Sequence, residues 1–438
     1  MIPLKKRVYI PVLWKFYISH LFAVIWTCIA IVLSKSWLSD LSGVAGITPA
    51  VIIITGIAYI PGYLNAFLVA SLLIDKQPKL KTNNPQDDIT VLIAAKNEEN
   101  GIANSLIYIK NQDYDGNISI VLIDNGSEDG TIEAAKKIAQ EINLDLSIKI
   151  EAEPGKHAAL NQGIKYVNTE YVITLDADTL LHKSAIRYIV ARMKSAPPDV
   201  CAVAGAILVR NSRDNLWSRV QEWDYFLSIA SIKRLQGLYQ GTLVAQGAYS
   251  LFKTDTIREA GGWPDAIGED IVLTWKFLKQ GRKVFFEPLS VAFTEVPTKL
   301  IHLGRQRSRW ARGMIEGLKE VKPWQQPSIY TKYLTSVNYI MPYIDISFTF
   351  FWLPGLVLAF FGVYWIVGLT TLLVLPLTFV SYFVLYFYQK KVFTKLNLKI
   401  RRNISGFIVF VLFYQMIMSP VSVWGYVQEL FKLKRIWK

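Results

Sequence analysis

Three short clusters, far apart along the chain, hold the side chains best suited to chemistry. The first is Asp176-Ala177-Asp178, which closes the apolar, β-type run Tyr171–Leu175. In an extended chain alternate residues point the same way, so both carboxylates face one side and Ala177 the other. Two like charges this close repel, and a divalent cation relieves that repulsion. Hard oxygen donors suit Mg²⁺ or Mn²⁺, which keep coordination positions for phosphate oxygens. Such an ion can hold a pyrophosphate and neutralise the charge that builds on it as it leaves. The plainer reading is an acidic turn capping the next helix. Taken alone, the motif leaves both open.

The second cluster is Gly268-Glu269-Asp270, after the turn Gly261-Gly262-Trp263-Pro264-Asp265 and before the helical run Ile271–Leu278. Acidic residues in a first helical turn are favoured by the helix dipole, a sufficient structural reason for them. A carboxylate there could equally act as a general base toward an acceptor hydroxyl. The third is Arg305-Gln306-Arg307-Ser308-Arg309-Trp310-Ala311-Arg312-Gly313, which opens a stretch where Trp310, Met314, Leu318 and Val321 recur at helical spacing. A basic amphipathic helix of this kind suits the lipid headgroup layer, and residues 215–235 form a second candidate. Polar residues follow two earlier strands as Ala94-Ala95-Lys96-Asn97-Glu98-Glu99 and Asp124-Asn125-Gly126-Ser127-Glu128-Asp129-Gly130. The chain lacks a G-x-G-x-x-G fingerprint, and Gly155-Lys156 lacks the upstream glycine of a P-loop, since Ile150 stands there. The four histidines are scattered, and Cys28 and Cys201 offer neither a disulfide framework nor zinc spacing.

What positions these clusters is an α/β domain. Apolar strand-length runs at Ile89–Ala95, Ile118–Asp124, Leu146–Glu151 and Tyr171–Leu175 alternate with helical spacing at Thr131–Ile142 and Ala158–Val167. That alternation predicts a mostly parallel sheet with helices on both faces, whose ligands bind beyond the C-terminal strand ends. On either side the composition changes. Hydrophobic residues make up 52% of the chain and aromatics 13%, high enough to imply lipid-facing surface. Phe16–Leu33 and Ala50–Ile74 read as two membrane spans, Tyr339–Tyr386 as two more with a turn near Gly362, and Ile404–Leu430 as a last segment interrupted by Pro420. The expected organisation is 1–74 for two N-terminal spans, 75–324 for a cytosolic catalytic domain with interface helices, and 325–438 for two to three C-terminal spans. The net charge of +14 gathers beside these segments, at Lys5, Lys6 and Arg7, at Lys390, Lys391, Lys395, Lys399, Arg401 and Arg402, and at Lys432, Lys434, Arg435 and Lys438. That is membrane-flanking charge and requires no nucleic acid. It places the N-terminus, the catalytic domain and the 390–402 loop in the cytosol. A fifth full crossing would put the C-terminal basic residues outside, unless the Pro420 segment is re-entrant or lies along the interface.

Taken in order, Asp-Ala-Asp, then Glu-Asp, then Gln-x-x-Arg-Trp just ahead of apolar helices, the chain resembles the family 2 glycosyltransferases. It is most similar to the membrane-embedded processive β-glycan synthases of the poly-N-acetylglucosamine, hyaluronan, chitin and cellulose type. The resemblance covers roughly Ile89 to Gly313 and implies a GT-A type fold. It also implies an inverting transfer from a UDP-sugar to a growing β-linked polysaccharide, poly-N-acetylglucosamine-like, exported through the protein's own helices. By the resemblance, Ala95, Glu98 and Asp124 bind the uridine and Lys156 lies near the diphosphate. Asp176 and Asp178 hold Mg²⁺ or Mn²⁺, Asp270 is the base, and Glu269, Gln306, Arg309 and Trp310 contact acceptor and diphosphate. Gly205, Arg210 and Asn211 are similar to a donor-side segment. A multi-pass protein of the plasma or inner membrane is implied, with a small membrane accessory subunit as a possible partner. The alternative is a non-processive transfer to a lipid carrier or glycolipid. This chain departs from the family pattern at Asn125, where a second acid is usual, at Gly268, where Thr is common, and in Gln246–Ser250.

Overall fold

The computed structural model describes residues 10–76, 78–368, 371 and 375–433, so Lys5, Lys6, Arg7, Lys434, Arg435 and Lys438 lie outside the described residues. Helices α1 (Val12–Leu33), α2 (Lys35–Ala45) and α3 (Ile47–Leu73) come first. The alternating section follows: β1 (Ile89–Ala95), α4 (Glu99–Lys110), β2 (Ile118–Asp124), α5 (Thr131–Glu141), β3 (Leu146–Ile150), α6 (Lys156–Gly163) and β4 (Tyr171–Asp176). Next are β5 (Leu180–Leu181), α7 (Ala185–Ser195), β6 (Val200–Val209), α8 (Leu216–Trp223), α9 (Ala230–Leu238), β7 (Tyr249–Lys253) and α10 (Thr254–Glu259). The chain closes with α11 (Glu269–Lys279), β8 (Lys283–Thr294), α12 (Leu300–Glu320), α13 (Ile329–Phe360), α14 (Leu375–Lys395) and α15 (Ile404–Leu430).

The eight strands form one sheet in the order β3-β2-β1-β4-β7-β6-β8-β5. The half assembled from β1–β4 is parallel, as the strand–helix alternation requires. The other half is mixed: β7 runs antiparallel to both β4 and β6, and β6 is parallel to β8. Ile89, Val91 and Ile93 of β1 are fully buried and pack with Ile102, Leu106 and Ile109 of α4, which recur at helical spacing. Burial of both sheet faces explains why the central strands read as unbroken apolar runs.

Among the described residues, four helices are long and apolar enough to cross a membrane: α1 (22 residues), α3 (27), α13 (32) and α15 (27). At 1.5 Å per residue even the shortest exceeds the roughly 30 Å hydrocarbon core. Pro420 does not interrupt α15, contrary to the sequence expectation; neighbouring groups within a membrane can take up the missing hydrogen bond.

Contacts divide the chain into two units, residues 1–77 with 346–387, and residues 78–345 with 388–438. In the first, Trp37, Leu41, Ala50, Ile53 and Ile54 form a buried cluster, and the Trp37 indole donates to the Trp365 carbonyl at 3.0 Å. The second holds the whole sheet together with α12 and α15. There a Cβ on Gly425 of α15 would meet the Ser308 carbonyl at 2.4 Å, so a glycine is needed for α12 and α15 to approach this closely.

Candidate active site

The ends of β1, β2 and β4 lie side by side. Ala95 is in register with Asp124, and Ala94 with Asp176. Thus three expected site residues emerge from one edge of the parallel half. The two polar segments that follow β1 and β2 latch together. The Asn97 amide donates to the Ser127 hydroxyl (3.0 Å), the Glu128 amide to the Asn97 side chain (2.9 Å), and the Glu98 amide to the Thr131 hydroxyl (2.8 Å). Asp124 is buried. One of its oxygens accepts from the Ser127 amide at 3.1 Å, while the other has no hydrogen-bond partner among the described residues. A buried, unmet carboxylate oxygen is costly unless a ligand N–H completes it.

Asn125 explains its own departure from the family pattern. Its amide donates to the Glu151 and Glu153 carbonyls (3.0 and 2.7 Å), and its oxygen accepts from the Gly155 amide (2.8 Å). Both donations need an N–H that a carboxylate lacks. This tether places Lys156 at the start of α6, where its ammonium pairs with Asp176. Burial opposes the charge on Lys156, but Asp176, Glu269 and Asp270 outweigh it and hold its pKa above the ordinary lysine value.

The Asp176-Ala177-Asp178 segment is not extended, as the strand pattern predicts, but turned. The Thr179 amide returns to the Asp176 carbonyl at 3.0 Å, and Ser105 of α4 holds the Ala177 carbonyl at 2.6 Å. The turn still gathers the acids. Burial, and then Asp176, push Asp178 up to about 6; burial, then Asp178 and Asp176, push Glu98 up to about 7. Among the described residues no three His, Cys, Asp or Glu side chains are grouped as a ready-made metal site. The Asp176–Asp178 pair nevertheless fits a hard divalent cation that keeps most of its sphere for phosphate oxygens and water.

Opposite this turn, Gly247 meets the acidic start of α11. Its amide donates to Asp270 at 3.3 Å, and a Cβ there would lie 2.9 Å from the Lys156 ammonium and 3.5 Å from a Glu269 oxygen. The Asp176 amide donates to the neighbouring Ala248 carbonyl at 3.2 Å. The Gln246–Ser250 segment is therefore the floor that brings Asp176, Lys156, Glu269 and Asp270 together. Glu269 is buried, and burial followed by Asp270 pushes it up to about 8.

The third cluster arrives on α12. Gly313 sits against Gly268 so closely that a Cβ on Gly268 would lie 2.7 Å from the Gly313 Cα, and the Gly268 amide donates to Glu316 at 3.0 Å. A glycine replaces the family's usual Thr because backbone occupies that space. Gln306, Arg309 and Trp310 lie within two helical turns of Gly313, on its N-terminal side along α12. A Gln306 side-chain oxygen is buried without a partner among the described residues. Trp310 is held from behind by residues the sequence reading did not single out. The Arg307 guanidinium lies 4.0 Å from its ring centroid and pairs with buried Asp224 at 2.7 Å, and Tyr414 of α15 also donates to Asp224 at 2.7 Å. The Tyr225 ring is 6.5 Å from that of Trp310. Burial raises the Tyr225 pKa, with the Arg307 charge opposing it. Arg210 and Asn211 are engaged elsewhere, Arg210 with Glu295 and Asn211 in two hydrogen bonds with the Val296 backbone (3.0 and 2.9 Å).

A sheet that is parallel through β1–β4, mixed beyond them and packed with helices has the GT-A type α/β fold. Residues 90–261 match the family model for Glycosyl transferase family 2. A poly-beta-1,6-N-acetyl-D-glucosamine synthase of Staphylococcus aureus is 34% identical over 241 residues, 55% of this chain and 57% of the relative. The chain thus spans little more than half the length of that relative. The synthase of the same description from Staphylococcus epidermidis is 29% identical over 350 residues, covering 79% and 81%. Among solved structures, a mannosyltransferase from Pyrobaculum calidifontis in complex with GDP-Man and Mn²⁺ has the same fold. It aligns with a TM-score of 0.56 at 19% identity, over 93% of this chain and 99% of that one.

Proposed function

We propose that the chain is an inverting glycosyltransferase that moves a sugar, N-acetylglucosamine by preference, from a UDP donor to the end of a β-linked polysaccharide. The observation that carries the proposal is the gathering of Asp176, Lys156, Glu269 and Asp270 around Gly247, beside the helix that bears Gln306, Arg309 and Trp310. The relatives' names support polymer synthesis over transfer to a lipid carrier. A cytosolic catalytic domain and export through the protein's own helices complete the reading, because a plain anchor would need one span.

In this reading the unmet Asp124 oxygen accepts the imide N–H of uracil, and Ala95 and Glu98 line the uridine. Mg²⁺ or Mn²⁺ held by Asp176 and Asp178 would neutralise charge on the departing diphosphate. Lys156 serves the same charge from the other side, releasing Asp176 as the donor enters. Asp270 takes the proton from the acceptor hydroxyl, whose oxygen attacks the anomeric carbon opposite the leaving group. Trp310 supplies a flat face for the acceptor sugar, while Gln306 and Arg309 bind its hydroxyls and the diphosphate.

The test gives purified full-length protein a panel of UDP-sugars with Mg²⁺ or Mn²⁺ and measures UDP release and product size. Long product from one donor is expected; single-sugar products only, or no release with any donor, would overturn the reading. Asp270→Asn should keep UDP binding and lose turnover by at least roughly 100-fold. Normal activity in that variant removes Asp270 as base, and metal-independent activity in Asp178→Ala removes the metal role.

A further inference from the structure

A cavity of about 520 Å³ shares no lining residue with the carboxylate site. It lies between the end of β6, the α8 helix with the turn after it, and the loop from α14 to α15. Its volume falls within the roughly 300–1,000 Å³ of ligand-binding cavities. Leu208, Trp223, Phe226, Phe293, Phe393 and Leu398 give it an apolar body, and Arg210, Glu222, Lys399 and Arg401 stand around that body. The charges do not balance. Glu222 is taken by Arg213 at 2.8 Å and by the Asn403 amide at 2.6 Å, and Arg210 by Glu295. Lys399 and Arg401 have no acidic partner among the described residues. Residues 388–403 contain Lys390, Lys391, Lys395, Lys399, Arg401 and Arg402 and no acid.

Where the cavity opens decides what could fill it. The Trp223 indole donates to the Asn403 carbonyl at 2.8 Å, and the Asn403 side chain caps α15 by accepting from the Gly406 amide at 3.1 Å. One cavity wall is therefore fastened to the N-cap residue just before a candidate span, the level of the lipid headgroups. Only an amphiphile with a negative head satisfies both halves of such a site, apolar body and unpaired cations at one height.

We propose that this cavity binds an anionic phospholipid, its phosphate held by Lys399 and Arg401 and an acyl chain lying against Trp223, Phe226 and Phe393. A soluble phosphate ester would present the same head to the same cations, and a basic loop attracts any anionic bilayer surface without a cavity. The experiment separates all three.

Full-length protein purified in a zwitterionic detergent is titrated with fluorescent phosphatidylglycerol and, separately, phosphatidylcholine, and sn-glycerol 3-phosphate is added as a competitor. Phosphatidylglycerol should bind saturably, phosphatidylcholine should not, and glycerol 3-phosphate should fail to displace the lipid. The Lys399→Gln/Arg401→Gln double variant should weaken binding roughly 30-fold, from about one phosphate-cation increment per residue. Lys390→Gln/Lys391→Gln, which removes equal charge away from the cavity, should leave it within about twofold. Leu398→Trp and Ile400→Trp keep every charge and fill the cavity, so at least one that melts like the parent should lose binding. Equal weakening by both charge pairs, or full binding in the folded tryptophan variants, would reduce the effect to surface attraction and overturn the site. Displacement by glycerol 3-phosphate would make it a soluble-phosphate site and overturn the lipid.

Discussion

Asn125 shows how one side chain can be structural where a family pattern leads one to expect an acid. Its amide holds two carbonyls of the loop that aims Lys156. Asn125→Asp replaces both donors with acceptors, so the domain should lose about 1–3 kcal/mol of stability. The donor KM should rise more than kcat falls, measurable by thermal melting and initial rates; an unchanged melt and KM would mean the tether does no positioning. Glu269 makes a second residue-scale prediction. Its folded-state pKa is raised to about 8, chiefly by burial and then by Asp270. A raised carboxyl pKa contributes stability that is complete below the unfolded value near 4.3 and is lost as pH rises through the folded value. Ligand-free protein should therefore lose melting temperature between about pH 5 and 9, and Glu269→Gln should lose less over the same window. Parallel curves for the two proteins would remove Glu269 as the titrating group.

At the scale of elements, the decisive contact is between α11 and α12. The two helices meet at Gly268 and Gly313, backbone against backbone, with Glu316 accepting from the Gly268 amide. Restoring the family's usual residue, Gly268→Thr, should push α12 away, cost about 1–3 kcal/mol by overpacking, and lower kcat because Trp310 moves with its helix. Melting temperature together with turnover measures this, and normal values of both would mean the helices can separate freely. Behind α12, Asp224, Arg307 and Tyr414 form a buried polar link to α15. Arg312 and Lys319 of α12 both reach Glu429 of the same helix, at 3.4 and 2.7 Å. These pairs make α12 part of the α15 packing rather than a loose surface helix. Breaking such a buried pair one-sidedly typically costs about 3–5 kcal/mol.

At the scale of the whole molecule, the proposed transferase carries four candidate spans among the described residues. Asp345, at the end of the unit that carries the sheet, is buried. Its oxygens accept from Ser419 (2.8 Å) and Tyr426 (2.7 Å) of α15. With Gln415, which donates to Ser419 at 2.7 Å, these make a polar patch around buried Asp345. Sealed inverted vesicles supplied with donor on the outside should accumulate polymer in the lumen, protected from an added glycan hydrolase. Product confined to the outer face would argue against export by this protein.

The sequence by itself determined the parallel half of the domain, since β1 and β2 begin and end where their apolar runs do, and it determined the apolar helices and the order of the three motifs. Those features are local: burial on both faces, helical spacing and membrane length are written in composition and period. The mixed half was not legible. Pro288 stands inside β8, where β6–β8 pairing jumps from Ala204–Phe286 to Ala206–Val291, and β7 enters between β4 and β6 from far along the chain. The turn at Asp176–Thr179, the Lys156–Asp176 pair, the Gly247 floor and the clamp on Trp310 likewise depend on partners 20 to 190 residues away. Which partners meet was decided only when the sheet and α12 packed, because no local period encodes a contact between distant elements.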